Sequence, residues 1–169
     1  VQTTTAVLPP ALAGTTFRLI IGWKNDGSGG TPPAVIDNIS LTSAIPVPVC
    51  GIKTIDNTLP TAGSNYASFT AAINDINLNG ICGPVTFNVA AGQTFNENTP
   101  ALTATGTAVN TITFQKSGAG VNPVITPTGS AGVNDAGITI AGGDYITFDG
   151  IDINASAVAT VEYGYLVRN

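Results

Sequence analysis

A chain of 169 residues is long enough to bury a core, as one domain or two small ones. Only 9% of its residues are Asp, Glu, Lys or Arg, against roughly 25% in an average soluble protein. The net charge is -5 and the 5 basic residues form no cluster, so nucleic acid and anionic membrane surfaces are excluded as partners.

Thr, Asn, Ser and Gly must keep such a surface wet, which suits a secreted protein, extracellular or on the cell surface. No apolar run approaches the roughly 18 residues that span a bilayer, so membrane insertion is not expected. The absence of His excludes a zinc site of the usual kind. The chain has no Met, and Val1-Gln-Thr-Thr-Thr5 lacks the basic and apolar regions of a signal peptide. Residue 1 is therefore not expected to be where translation starts.

In chain order, Thr16 to Trp23 and Ala34 to Thr42 are strand-like and are joined by a linker of turn residues, Lys24-Asn-Asp-Gly-Ser-Gly-Gly-Thr-Pro-Pro33. They are expected to form a β-hairpin that needs further strands to complete its sheet. By alternation Trp23 shares a face with Phe17, Leu19 and Ile21, which favours burial. Its other role would be as a platform for stacking a sugar ring.

The alternating prolines of Ala44-Ile-Pro-Val-Pro-Val49 read as a stiff connection. This places a first module over residues 1–44, a linker over 45–49 and a second module over 50–169. Cys50 to Thr58 suits a short strand. Phe69, Ala72, Ile73 and Ile76 then show helical spacing, with Ser68 or Ser64 as N-cap and Gly80 as the stop. Cys50 and Cys82 are the whole thiol inventory, and a disulfide between them is the expected state, with two separate buried thiols as the alternative. Closing that loop in an oxidising compartment would stabilise the fold by about 3–4 kcal/mol.

From Gly83 onward a pattern recurs: Val85-Thr-Phe-Asn-Val89, Ile112-Thr-Phe-Gln115, Gly137-Ile-Thr-Ile-Ala141 and Gly164-Tyr-Leu-Val167, spaced 27, 26 and 27 residues apart. Short strands that cannot bury an apolar face alone can share a core when stacked at a fixed period. The expectation is an all-β solenoid in which the 85, 112, 138 and 165 strands lie in parallel register, with Val85, Phe87, Val89, Ile112, Phe114, Ile138 and Ile140 inward. Gly142-Gly143-Asp144 and Asp149-Gly150 are turn signals that would bend each rung around a three-sided prism. The helix near Ser68 to Leu78 would cap the stack. Arg168-Asn169 falls in mid-rung, so further rungs or a neighbouring subunit are expected at that end.

Several of these segments resemble large secreted surface proteins of Bacteroidetes-type bacteria, exported by the type IX route and often described as adhesins. Phe17 to Leu41 is similar to the closing hairpin of their jelly-roll modules. Tyr66-Ala-Ser-Phe-Thr-Ala-Ala-Ile-Asn74, with Asn79-Gly-Ile-Cys-Gly-Pro-Val-Thr-Phe-Asn-Val89, resembles the opening of their pectin-lyase-like right-handed parallel β-helix. Asp144-Tyr-Ile-Thr-Phe-Asp-Gly-Ile-Asp-Ile153 is similar to its recurrent rung. The resemblance implies the end of a jelly-roll module followed by the first rungs of a β-helix.

What it implies about chemistry is narrower. Jelly-roll modules often hold calcium through a carboxylate and loop oxygens, which makes Asn25, Asp26 and Asp37 candidate ligands; calcium wants six to eight oxygens, and ordinary turn chemistry is the competing role. No other cofactor is implied. Polysaccharide lyases and hydrolases on β-helices project carboxylates from neighbouring rungs, which singles out Asp144, Asp149 and Asp152, with Asp149 and Asp152 as candidate ligand-binding residues. Asp149-Gly150 is also a common turn pair, and Arg168 stacked beside Asp152 would make only a surface ion pair.

Three functions are therefore open. The first is a segment of a non-catalytic adhesin or structural surface protein that contacts surface glycans and the remaining modules of its own polypeptide. The second is a polysaccharide lyase or hydrolase whose catalytic rungs lie beyond residue 169. The third is an assembly subunit that completes sheets in neighbouring subunits by strand addition.

Overall fold

The computed structural model describes residues 16, 18, 20, 46–130, 135–155 and 160–169. The chain divides into two units, Val1–Ser43 and Ala44–Asn169. Of the first, only Thr16, Arg18 and Ile20 are described, all three exposed, and the rest of the expected N-terminal hairpin lies outside the described residues.

The second unit is mostly β with one helix. Its elements are β1 (Val49–Ile55), β2 (Asn65–Tyr66), α1 (Phe69–Asn79), β3 (Ile81–Ala90), β4 (Thr94–Phe95), β5 (Ile112–Ser117), β6 (Val124–Ile125), β7 (Ala136–Ala141), β8 (Ile146–Asp149), β9 (Asp152–Ile153) and β10 (Tyr163–Arg168). They form three sheets in the orders β2-β1-β3-β5-β8, β4-β6-β9 and β10-β7. Every strand pair is parallel. A parallel bridge from Leu102 to Ile140 extends the third sheet by one position. From β3 onward the chain visits the sheets in a repeating order: β3, β4 and Leu102, then β5, β6 and β7, then β8, β9 and β10.

Helix α1 forms where local chemistry prescribes it. Ser68 is extended (φ -157°), and its Oγ accepts from the Ala71 N–H at 3.0 Å. At the other end Gly80 turns out of the helix at φ 69° and donates its N–H to the Ile76 carbonyl at 2.9 Å. Phe69, Ala72, Ile73 and Ile76 are all buried, as their spacing predicts.

The recurring strands are only partly in the expected register. Val85 pairs with Ile112 and Phe87 with Phe114, 27 residues on. The 138 strand, however, does not stack on β5. That place belongs to β8, with Ile112 opposite Ile146 and Phe114 opposite Phe148, while β7 pairs with β10, setting Ile138 beside Tyr165 and Leu166 beside Thr139. The reason is side-chain identity rather than spacing. Ile146-Thr-Phe148 repeats Ile112-Thr-Phe114, so the third ring continues a stack in which Phe87 and Phe114 lie 4.6 Å apart and Phe114 and Phe148 4.7 Å apart, nearly coplanar at 13° and 4°. Ile138-Thr-Ile140 has the same alternation but no ring to offer.

One core serves all three sheets. Phe69, Phe87, Phe114, Ile55, Ile73, Ile76, Leu102, Ile112, Ile125, Ile138, Val85 and Val89 are fully buried, and no polar or charged residue among those described is buried with them. The helix joins this core edge-on: the Phe69 ring meets Phe95 at 5.0 Å and Phe114 at 6.1 Å. Tight corners allow the closeness. A Cβ on Gly143 would sit 2.6 Å from the Ala104 carbonyl oxygen, so this corner between β7 and β8 has no room for a side chain.

Candidate functional surface

Alternation along the strands turns every second residue of the five-stranded sheet away from the core. Two in-register rows result. One runs Ile52, Thr86, Thr113, Thr147; the other runs Thr54, Asn88, Gln115, Asp149. Successive members are one strand spacing apart, about 4.8 Å. Gln115 Nε2 donates to Asn88 Oδ1 at 3.0 Å, and Thr54 Oγ1 donates to Asn65 Oδ1 at 2.7 Å. The rows thus present hydroxyls and amides with a single carboxylate, Asp149, at one end. Such a face can donate and accept hydrogen bonds to a neutral polar ligand without a fixed charge to attract ions.

A second feature is an open recess of about 350 Å³ lined by Asn57, Ala67, Ser68, Thr94, Phe95, Asn96 and Glu97. Its carboxylate is already engaged. Glu97 accepts from the Phe69 N–H at 3.0 Å and the Thr70 N–H at 2.8 Å, so with Ser68 it satisfies the first three N–H groups of α1 and places negative charge at the positive end of the helix dipole. The first turn of α1 has no acidic residue of its own. Beside the recess, Asp56 accepts from the Thr58 hydroxyl at 2.6 Å, the Gln93 amide at 2.6 Å and the Thr58 N–H at 2.9 Å. These hydrogen bonds, the Thr58 side chain first, hold the Asp56 carboxyl below its usual range. Gln93 Oε1 in turn accepts from the Asn57 N–H at 2.9 Å.

Asp149 and Asp152, expected to act together, lie in different sheets. Asp149 ends the amide row on β8, whereas Asp152 on β9 accepts from Asn122 Nδ2 at 3.0 Å. Arg168 does not stack beside Asp152, because it stands opposite Ala141 in the third sheet. Its strand follows β7, and the expected register brought the wrong strands together. Asp144 is a corner residue whose N–H donates to Thr105 Oγ1 at 3.1 Å and whose carbonyl accepts from Gly106 at 2.9 Å. Trp23, Asn25, Asp26 and Asp37 lie outside the described residues. Among the described residues no three Cys, Asp or Glu side chains gather as metal ligands would.

Cys50 and Cys82 form the disulfide, with Cα atoms 5.2 Å apart, and join the start of β1 to the start of β3. Both half-cystines are exposed. No described helix is long and apolar enough to cross a membrane.

Tyr165 closes the last turn of the chain over the core. Its ring leans on Phe148 at 5.5 Å, and its hydroxyl donates across to the Ile151 carbonyl at 2.9 Å. Burial, and then the nearby Asp152 carboxylate, push its phenol up to about 12. The folded state therefore holds this proton more tightly than the unfolded chain, whose tyrosines ionise near 10. The stability it contributes is complete below about pH 10 and lost as pH rises from there through 12. An ultraviolet titration of tyrosine absorbance is expected to show a late component that disappears in Tyr165→Phe; ionisation of Tyr165 near pH 10 in the folded protein would contradict the geometry. Tyr66, which donates to Asp75, is raised further, mainly by burial.

Comparison of the chain with protein-family models, curated proteins and solved structures returned no match.

Proposed function

We propose that this chain is a segment of an extracellular, non-catalytic adhesin or structural surface protein of the Bacteroidetes type, exported by the type IX route. In this reading residues 50–169 are the N-terminal rungs of a pectin-lyase-like parallel β-helix with α1 as its cap, and residues 1–44 end a jelly-roll module. The repeating order of sheet visits and the parallel register of every pair support a β-helix, and parallel crossovers are right-handed in almost all proteins. The disulfide fits an oxidising compartment.

The observation that carries the adhesive role is the in-register outward face of the five-stranded sheet, Thr86, Thr113 and Thr147 beside Asn88 and Gln115. A repeating row of hydroxyls and amides offers many weak, equivalent contacts to a neutral glycan, and weak contacts add when engaged together. Binding to a panel of neutral polysaccharides is expected, with little dependence on salt because the face is nearly uncharged. Removing two donors at its centre, Thr113→Ala with Gln115→Ala, costs about 1 kcal/mol each and weakens binding about tenfold or more. Absence of binding by the intact chain, or unchanged affinity in the double variant, refutes this reading. Release of oligosaccharides in a reducing-sugar assay overturns it in favour of an enzyme.

A further inference from the structure

We propose that the Cys50–Cys82 disulfide shunts mechanical tension past the first part of the folded unit. The inference goes beyond adhesion and holds whether or not the chain binds a glycan.

Tension carried along the proline-rich segment reaches the fold at Val49. This residue is buried, stands opposite Ile81 and donates its N–H to the Gly80 carbonyl at 2.9 Å. The very next residue is Cys50, bonded to Cys82 at the second position of β3. Strand β3 is held from both sides, by β1 and by β5. The covalent path therefore leads from the point of entry straight into an interior strand. The rest of β1, β2 and α1 hangs between the half-cystines as a closed loop that the load does not traverse.

Without the bond the same tension runs through β1. The chain enters at β1 and leaves after β10, so the pull crosses strands rather than following them, and hydrogen bonds crossed in this way open one after another from the Val49 end. Continued extension then draws Phe69, Ile73 and Ile76 out of the core, because α1 follows β1 in the chain. The half-cystines are 32 residues apart, so this loop stores about 110 Å of extended chain. Both sulfur-bearing residues are exposed, which leaves the bond open to exchange with a thiol.

The test is to pull the full 169-residue chain from its two ends, first oxidised and then after a dithiol reductant enters the chamber. In the exchange the reductant's two thiols close to a ring disulfide, and their two electrons and two protons leave Cys50 and Cys82 as thiols. A new early step of about 110 Å, at lower force than any rupture of the oxidised unit, is expected only after reduction. Residues before Val49 contribute equally to both traces. The double variant Cys50→Ser with Cys82→Ser is expected to show the same early step with no reductant. A first rupture force that reduction leaves unchanged, or release of the 51–81 segment together with the rest of the unit, overturns the proposal. So does loss of the far-ultraviolet circular dichroism on reduction without load, since the bond would then be a staple for folding itself.

Discussion

Phe114→Ala is expected to cost the fold about 3–5 kcal/mol, the largest effect of any single truncation in this chain. The ring is fully buried and touches three others, Phe87 at 4.6 Å, Phe148 at 4.7 Å and Phe69 at 6.1 Å. Removing it leaves a ring-sized void where β3, β5, β8 and α1 meet, and close-packed neighbours relax only partly into such a void. For a unit of this size the midpoint of thermal unfolding should fall by about 10 °C or more. Phe148→Ala is expected to cost less, because its ring is only half-buried. Equal losses for the two variants, or a loss under about 1 kcal/mol for Phe114→Ala, would mean that the stack does not organise the core.

The second large effect is expected at Glu97. Its carboxylate holds two backbone N–H groups of α1 by charge-assisted hydrogen bonds, from a segment 27 and 28 residues downstream in sequence. Glu97→Ala orphans both donors and removes the charge facing the helix dipole, a loss of about 2–3 kcal/mol. Glu97→Gln keeps one acceptor and should fall between. Urea unfolding followed by circular dichroism reads both, and hydrogen exchange adds a positional check, since the Phe69 and Thr70 amides should lose protection first. Wild-type protection of those two amides in Glu97→Ala would refute the capping role.

Local features of this fold were legible in the sequence, and long-range ones only where composition left no choice. Ser68, Gly80 and the apolar spacing between them carry the chemistry of α1 within a dozen residues, so its span follows directly. The disulfide follows from there being two cysteines. The pairing of β3 with β5 follows from a shared Val/Ile-Thr-Phe triplet. The error came at β7 and β8, where two segments alternate equally well and a 26-residue spacing favoured the wrong one. Only the identity of Phe148, read as a ring able to stack, separates them. Glu97 had no local signal at all, since an isolated glutamate in a loop looks the same whether or not a helix end lies against it. The same holds for Asn77, whose Oδ1 accepts from the Thr103 and Ala104 N–H groups at 2.9 and 3.0 Å and stitches α1 to a segment far along the chain. Asp149 and Asp152 read as neighbours because they are close in sequence, but the turn at Gly150 sends them to different sheets.

The stack of rings also bears on how such a chain can change over time. Phe87 and Phe114 are 27 residues apart and Phe114 and Phe148 are 34 apart, yet both pairs sit at nearly the same separation and tilt. The two intervals differ by seven residues, and that excess is absorbed entirely in the excursion between strands. Length is therefore weakly policed in the corners and strictly policed along the ladder. Insertions that alter the outline of the molecule can accumulate at the corners without asking anything of the core, while a new copy of the Ile-Thr-Phe triplet is enough to seat one more strand.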